Sequence, residues 1–128
     1  MPRIFSYDEF KNGNEEVKVY ADKHSPVITC TNTAVRDTKL KVNVRVGRTV
    51  AHPNKTDHRF EYIQLWDLET LLVEVRFSNS AFGCSPIMVE ADFYIVPSAS
   101  MRLKALGYCN KHGLWESEEV YVKVTDSE

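Results

Sequence analysis

"LKVNVRV", Leu40 to Val46, decides the fold class. Its apolar residues Leu40, Val42, Val44 and Val46 fall on one face of an extended chain, and Lys41, Asn43 and Arg45 fall on the other. That period of two marks a half-buried strand. The alternation returns in "LLVEVRF" (Leu71–Phe77), with Leu71, Val73, Val75 and Phe77 expected inward. It returns again in "IMVEADFYIV" through Ile87, Val89, Ala91, Phe93 and Ile95, and in "MRLKALGY" through Met101, Leu103 and Ala105. "VYVKV" (Val120–Val124) supplies a last strand. "VKVYA" (Val17–Ala21), "PVITC" (Pro26–Cys30) and "FEYIQLW" (Phe60–Trp66) are less regular strand candidates. The last loses phase near Tyr62 and Ile63, where a bulge is expected.

Turn residues interrupt these runs at short intervals: Asn12-Gly13-Asn14, Gly47, Pro53-Asn54, Gly83 to Pro86, Pro97-Ser98 and Gly113. No segment carries a helical period longer than two turns. Short alternating strands between such turns point to an all-β chain, an antiparallel β-sandwich whose loops cluster at its ends.

A length of 128 residues suits one domain with one core. Residues 1–16 read as a polar N-terminal arm and 17–128 as a single sandwich domain. At 43% hydrophobic the composition is that of a globular chain rather than a disordered one. A formal net charge of −2 offers no basic field, so neither nucleic acid nor an anionic membrane is expected as a partner. No apolar run approaches the ~20 residues of a membrane helix. The opening "MPRIFSYDEFKNGNEE" has no apolar core of a secretory signal. Three widely spaced cysteines, Cys30, Cys84 and Cys109, do not make a disulfide framework. A reducing compartment, the cytoplasm, is the expectation.

The four histidines, His24, His52, His58 and His112, all sit in turn-like contexts: "DKHSP", "AHPN", "KTDHRF" and "CNKHG". One such histidine is ordinarily a surface residue. Together they carry more information, because proline and glycine beside a ligand hold its backbone still. Cys109 and His112, three apart, can converge on one ion from a single turn. His52 and His58 can do the same across the Pro53-Asn54 loop. Spacing alone leaves a metal site and a scatter of polar residues both open. If the site exists, four imidazoles and one thiolate exceed the four ligands of structural zinc. An imidazole-rich set with one electron-donating sulfur suits iron.

"DKHSPVI", "AHPNKTDHRFEYIQLW" and "YCNKHGLWE", in that order, resemble the catalytic iron domain of the superoxide reductases, in particular the one-iron neelaredoxin type related to desulfoferrodoxin. The resemblance runs from about Lys18 to Val124. It implies an immunoglobulin-like sandwich holding one iron per chain, cycling between Fe2+ and Fe3+. Four equatorial histidines would be His24, His52, His58 and His112, and the axial thiolate would be Cys109. It further implies one-electron reduction of superoxide to hydrogen peroxide without dioxygen. The electron would come from rubredoxin or another small redox protein, and the assembly would be a homotetramer. The two-iron relatives need four more cysteines near the start, and none precedes Cys30 here.

Within the same motif Lys23 is expected to draw superoxide in and to organise a proton-delivering water. Asp22 stands where the family usually has a glutamate that caps oxidised iron, and is the candidate sixth ligand, with Glu15 and Glu16 behind it. Backbone N–H groups over Lys111 to Gly113 are expected to hydrogen-bond the Cys109 sulfur. Trp115 is expected to pack beneath the site. Tyr62, Tyr108, Cys30 and Cys84 are expected to have no part in catalysis. Two other readings compete with the enzyme: a sandwich that stores zinc or copper, and an electron carrier without a substrate.

Overall fold

A computed structural model describes residues 3–126 of the chain. The elements follow in order: β1 (Ile4–Ser6), α1 (Glu15–His24), β2 (Pro26–Thr29), β3 (Thr33–Val35), β4 (Leu40–Val46), β5 (Phe60–Asp67), β6 (Thr70–Arg76), β7 (Glu90–Ile95), β8 (Met101–Cys109), β9 (Gly113–Glu116) and β10 (Val120–Thr125). β2, β4 and β7 form a three-stranded antiparallel sheet. β8 is the spine of the larger sheet. It pairs with β5 on one side, and with β10 and β9 on the other, all antiparallel. β6 extends that sheet beyond β5, while β1 and β3 add short parallel pairings to β9 and β10.

The two sheets face each other across one apolar core, the sandwich expected from the alternation. Val42, Val44 and Val46 of β4 are fully buried against Phe60, Ile63 and Leu65 of β5 and Leu103 and Ala105 of β8. β6 departs from the expected pattern. Leu71 is 43% exposed and Val73 and Val75 are only half-buried, because β6 is paired on one side alone and lies at the sheet margin. The irregularity expected near Tyr62 is present as a register shift between Phe60 and Tyr62 against β8.

Val17–Ala21 is helix, not strand. Val17, Val19 and Ala21 alternate, but the residues turned inward are Val17, Tyr20, Ala21 and His24, at helical spacing. The Asn14 side chain accepts the Val17 N–H at 2.9 Å and caps the start. Glu15 and Glu16 occupy the first turn, Lys23 and His24 the last, each complementing the helix dipole. Pro26 follows two residues beyond the helix end.

The N-terminal segment packs on the larger sheet from Ile4 onward. Ile4, Phe5 and Ser6 pair with Leu114, Trp115 and Glu116. The rings of Phe5 and Phe10 lie 5.2 and 5.5 Å from the Trp115 ring. Among the described residues no helix is long and apolar enough to cross a membrane.

Strand register gathers the segments that carry the four histidines and Cys109 at one end of the sandwich. Pro26, which follows the helix, is opposite Val46, which leads to His52. Phe60, which follows His58, is opposite Cys109, and Cys109 is opposite Gly113.

Candidate metal centre

His24 arrives on the last turn of α1, His52 and His58 on the loop between β4 and β5, Cys109 at the end of β8, and His112 in the turn to β9. Each segment is fixed locally. His52 forms a two-way backbone bridge with Ile87, both bonds 3.0 Å. His58 closes a turn with Lys55 through bonds of 3.0 and 3.1 Å. Gly113 takes φ +83°, a left-handed conformation that suits glycine and lets the chain reverse directly after His112.

One ligand atom from each of the five residues lies within 4.8 Å of every other. His24 Nε2 is 3.1 Å from His112 Nδ1 and 3.2 Å from His52 Nε2, and His58 Nε2 is 3.2 Å from His112 Nδ1. The Cys109 sulfur is 3.4 Å from His52 Nε2 and 3.7 Å from His112 Nδ1. Nitrogens ~2.1 Å from one ion and at right angles about it would stand ~3.0 Å apart. The cluster has those dimensions.

The outer nitrogens test whether an ion belongs there. His24 Nδ1–H donates to the Tyr20 carbonyl at 2.6 Å, and His52 Nδ1–H donates to the Pro53 carbonyl at 2.6 Å. A neutral ring carries one proton, so both Nε2 atoms present lone pairs to each other. Two acceptors at that distance repel unless a cation lies between them. A carbonyl holding the outer N–H is also the usual support of a metal-binding histidine.

Burial keeps the rings neutral. It lowers the His24 pKa to about 4 and that of His52 to about 3, opposed in each case by the bond to a backbone carbonyl. Burial lowers His58 and His112 as well, and the Lys23 charge lowers all four rings further. Neutral imidazole is the form that binds metal. Burial pushes the Cys109 thiol up, while the N–H groups of Lys111 and His112 beside the sulfur, and the Lys23 charge, pull it back. These amides lie within the span expected to serve the sulfur.

Asp22 binds the loop after β4 and does not join the cluster. Its carboxylate is 9% exposed and turned to the loop after β4. It accepts the N–H groups of Arg48, Thr49 and Val50 and the Thr49 hydroxyl. Burial would raise its pKa, but those donors lower it overall. The structure gives no support to the expectation of Asp22 as an iron cap: its carboxylate binds the loop amides, and it is not among the clustered residues. Glu15 and Glu16 are exposed on the first turn of α1, at the opposite end of the helix from His24.

Lys23 is half-buried beside His24, and its charge is felt at all four imidazoles and at the sulfur. Trp115, fully buried, stacks on the His24 ring at 5.0 Å and 20°. Its indole N–H donates to the His112 carbonyl at 3.1 Å. Tyr62 and Tyr108 stack on each other across β5 and β8 at 5.4 Å. Cys30 and Cys84 lie outside the cluster.

Two residues escaped the sequence reading. Asn110, inside "CNKHG", binds both neighbours of His58. Its side chain accepts the Arg59 N–H at 2.9 Å and donates to the Asp57 carbonyl at 3.0 Å. Its backbone N–H donates to the Arg59 carbonyl at 3.1 Å. An asparagine next to a ligand is the one signal that could have found it. Tyr20 closes the other side, its ring 4.8 Å from His24 and edge-on to His112 at 5.3 Å. Reading its segment as a strand hid it.

The sequence model of the Desulfoferrodoxin family matches residues 16–118. The superoxide reductase of Pyrococcus furiosus is 38% identical over 111 residues, covering 76% of this chain and 86% of that protein. The neelaredoxin of Megalodesulfovibrio gigas is 32% identical, covering 77% of this chain and 85% of its own. Among solved structures, a variant of the superoxide reductase (neelaredoxin) from Ignicoccus hospitalis superposes with a TM-score of 0.76 at 28% identity, covering 95% of this chain and 94% of that one.

Proposed function

The chain belongs to the Desulfoferrodoxin family, and we infer from that membership that its cluster of four histidines and one cysteine reduces superoxide. It is a superoxide reductase: superoxide takes one electron and two protons and leaves as hydrogen peroxide, with no dioxygen formed. The cofactor is a single iron. The observation that carries this reading is the convergence of five ligand atoms within 4.8 Å, two of them lone pairs fixed inward by backbone carbonyls.

The ligand assignment we propose places His24, His52, His58 and His112 around the iron and Cys109 as its thiolate. When bound, the iron supplies a redox centre that shifts between Fe2+ and Fe3+, tuned by the sulfur donor. The chain does the rest. Burial keeps the imidazoles unprotonated and available. The amides of Lys111 and His112 hold negative charge on the sulfur. Lys23 supplies the positive charge that draws the superoxide anion toward the cluster and orders a water for proton delivery. Trp115 and Tyr20 pack the rings from behind and exclude solvent there.

An external donor must restore the electron after each turnover. We propose a rubredoxin-like or other small redox protein, a homotetramer as the assembly, and the cytoplasm as the compartment. The family resemblance supports the first two, and the cysteine usage of the chain supports the third.

Anaerobic loading with Fe2+ followed by oxidation tests the function. A thiolate-to-iron band in the red that bleaches on reduction and returns with superoxide is expected. So is one peroxide per superoxide consumed, where a dismutase would give one per two. A colourless, iron-free product would return the chain to a zinc-binding sandwich.

A further inference from the structure

The loop that leads from β4 to His52 makes a concave set of backbone donors. The N–H groups of Arg48, Thr49 and Val50 all reach Oδ1 of Asp22, at 3.1, 2.8 and 2.8 Å. The Thr49 hydroxyl donates to Oδ2 at 2.8 Å. Consecutive amides aimed at one point form a nest for an anion. Here the anion is a side chain of the protein itself. Gly47 permits the turn, since its φ is +105° and a Cβ there would stand 2.6 Å from the Val50 carbonyl oxygen. Two main-chain bonds complete the contact: Gly47 N–H to the Ser25 carbonyl at 2.9 Å, and Arg48 N–H to the Asp22 carbonyl at 3.2 Å.

Asp22 lies two residues before His24, and Val50 lies two residues before His52. The carboxylate therefore ties the end of α1 to the approach of the second ligand. The rings these two segments deliver meet with their Nε2 atoms 3.2 Å apart. We propose that Asp22 is a positioning residue: its carboxylate, seated in the amide nest of residues 48–50, sets the spacing of His24 and His52 across the metal centre. It touches neither iron nor substrate. The proposal rests on the reading of the five-residue cluster as the iron site.

Asp22→Ala, Asp22→Asn and Thr49→Val, each in the full chain, test it by Fe2+ affinity in chelator competition and by the thiolate band after oxidation. Asp22→Ala is expected to bind iron ~10–100-fold more weakly, the usual effect of removing a group that orients a ligand. Its band should shift. Formate or acetate should refill the nest and recover part of that loss, while leaving the wild-type affinity unchanged. Asp22→Asn, which keeps an acceptor oxygen, should fall between Asp22→Ala and wild type. Thr49→Val, which loses one donor, should stay nearest wild type. If Asp22→Ala does not fold, the order wild type, Thr49→Val, Asp22→Asn carries the test. Wild-type affinity and spectrum in Asp22→Ala, or equal affinities in Thr49→Val, Asp22→Asn and wild type, would overturn the proposal. So would a loss in Asp22→Ala that neither the small carboxylates nor asparagine relieves, which would mark a fold defect instead. A wild-type protein that binds no iron would overturn the metal reading first, and would be seen before any variant is compared.

Discussion

The Nε2 atoms of His24 and His52 face each other at 3.2 Å, and neither has a proton to place between them. Both rings give their single proton outward, to the carbonyls of Tyr20 and Pro53. The pair is thus arranged for a cation.

Acid should release the iron and weaken the fold. His24 and His52 have folded pKa values depressed by burial to about 4 and about 3. In the unfolded chain each titrates near the ordinary histidine value of ~6.5. The unfolded state therefore binds more protons below that pH, and the stability these rings contribute is complete above it. It is lost progressively as pH falls below that value, and the loss is complete once the folded rings themselves protonate, at about 4 for His24 and about 3 for His52. Circular dichroism of the apoprotein followed from pH 7 downward should decline across that window, and the loaded protein should lose iron as its fold gives way. Retention of iron at the lower end would contradict it.

Cys109→Ser should abolish the red band and superoxide consumption while the sandwich persists. The residue is fully buried at the end of β8, and serine is close to it in volume, so the strand pairing with β5 and β9 has no reason to break. Unchanged colour in this variant would exclude the thiolate as ligand.

Lys23→Ala should slow superoxide capture ~10-fold at low salt, the lower end of electrostatic steering. The gap should close as salt rises, because attraction of an incoming anion through solvent is screened over about 8 Å at physiological ionic strength. Stopped-flow rates against ionic strength read this directly. Parallel salt curves for variant and wild type would remove the steering role.

Asn110→Ala removes both side-chain bonds that flank His58 while keeping the backbone bond. Iron affinity should drop ~10–100-fold. Stability of the apoprotein should drop by about 1–2 kcal/mol, two ordinary hydrogen bonds. Chelator competition and urea denaturation separate the two effects.

Trp115→Phe deletes the N–H bond to the His112 carbonyl but keeps an aromatic ring against His24. Apoprotein stability should fall by about 1 kcal/mol. Turnover should stay within a few-fold of wild type, as befits packing rather than electron transfer. A collapse of turnover with iron still bound would assign Trp115 to the electron path.

The sandwich was legible in β4 and β8 because both are central strands, where alternation and burial coincide. In β6 the same alternation overstated burial, since Leu71 stays 43% exposed at the sheet margin. The helix was not legible because Val17, Val19 and Ala21 satisfy two periods at once. What decides between them is the Asn14 cap and a contact between Tyr20 and Trp115, 95 positions further along. The five clustered residues were legible through their motifs. The true setting of Asp22 was not, because its partners are backbone amides 26 to 28 residues away and amides leave no trace in a sequence.

The span between His24 and His112 has a consequence for biosynthesis. The two ring atoms that meet at 3.1 Å are 88 residues apart, and the strand that begins directly after His112 is the one that receives β1. During translation His24 is made 88 residues before the ring it meets. The five-residue cluster is complete only then, so the ligand set we propose is assembled late in synthesis.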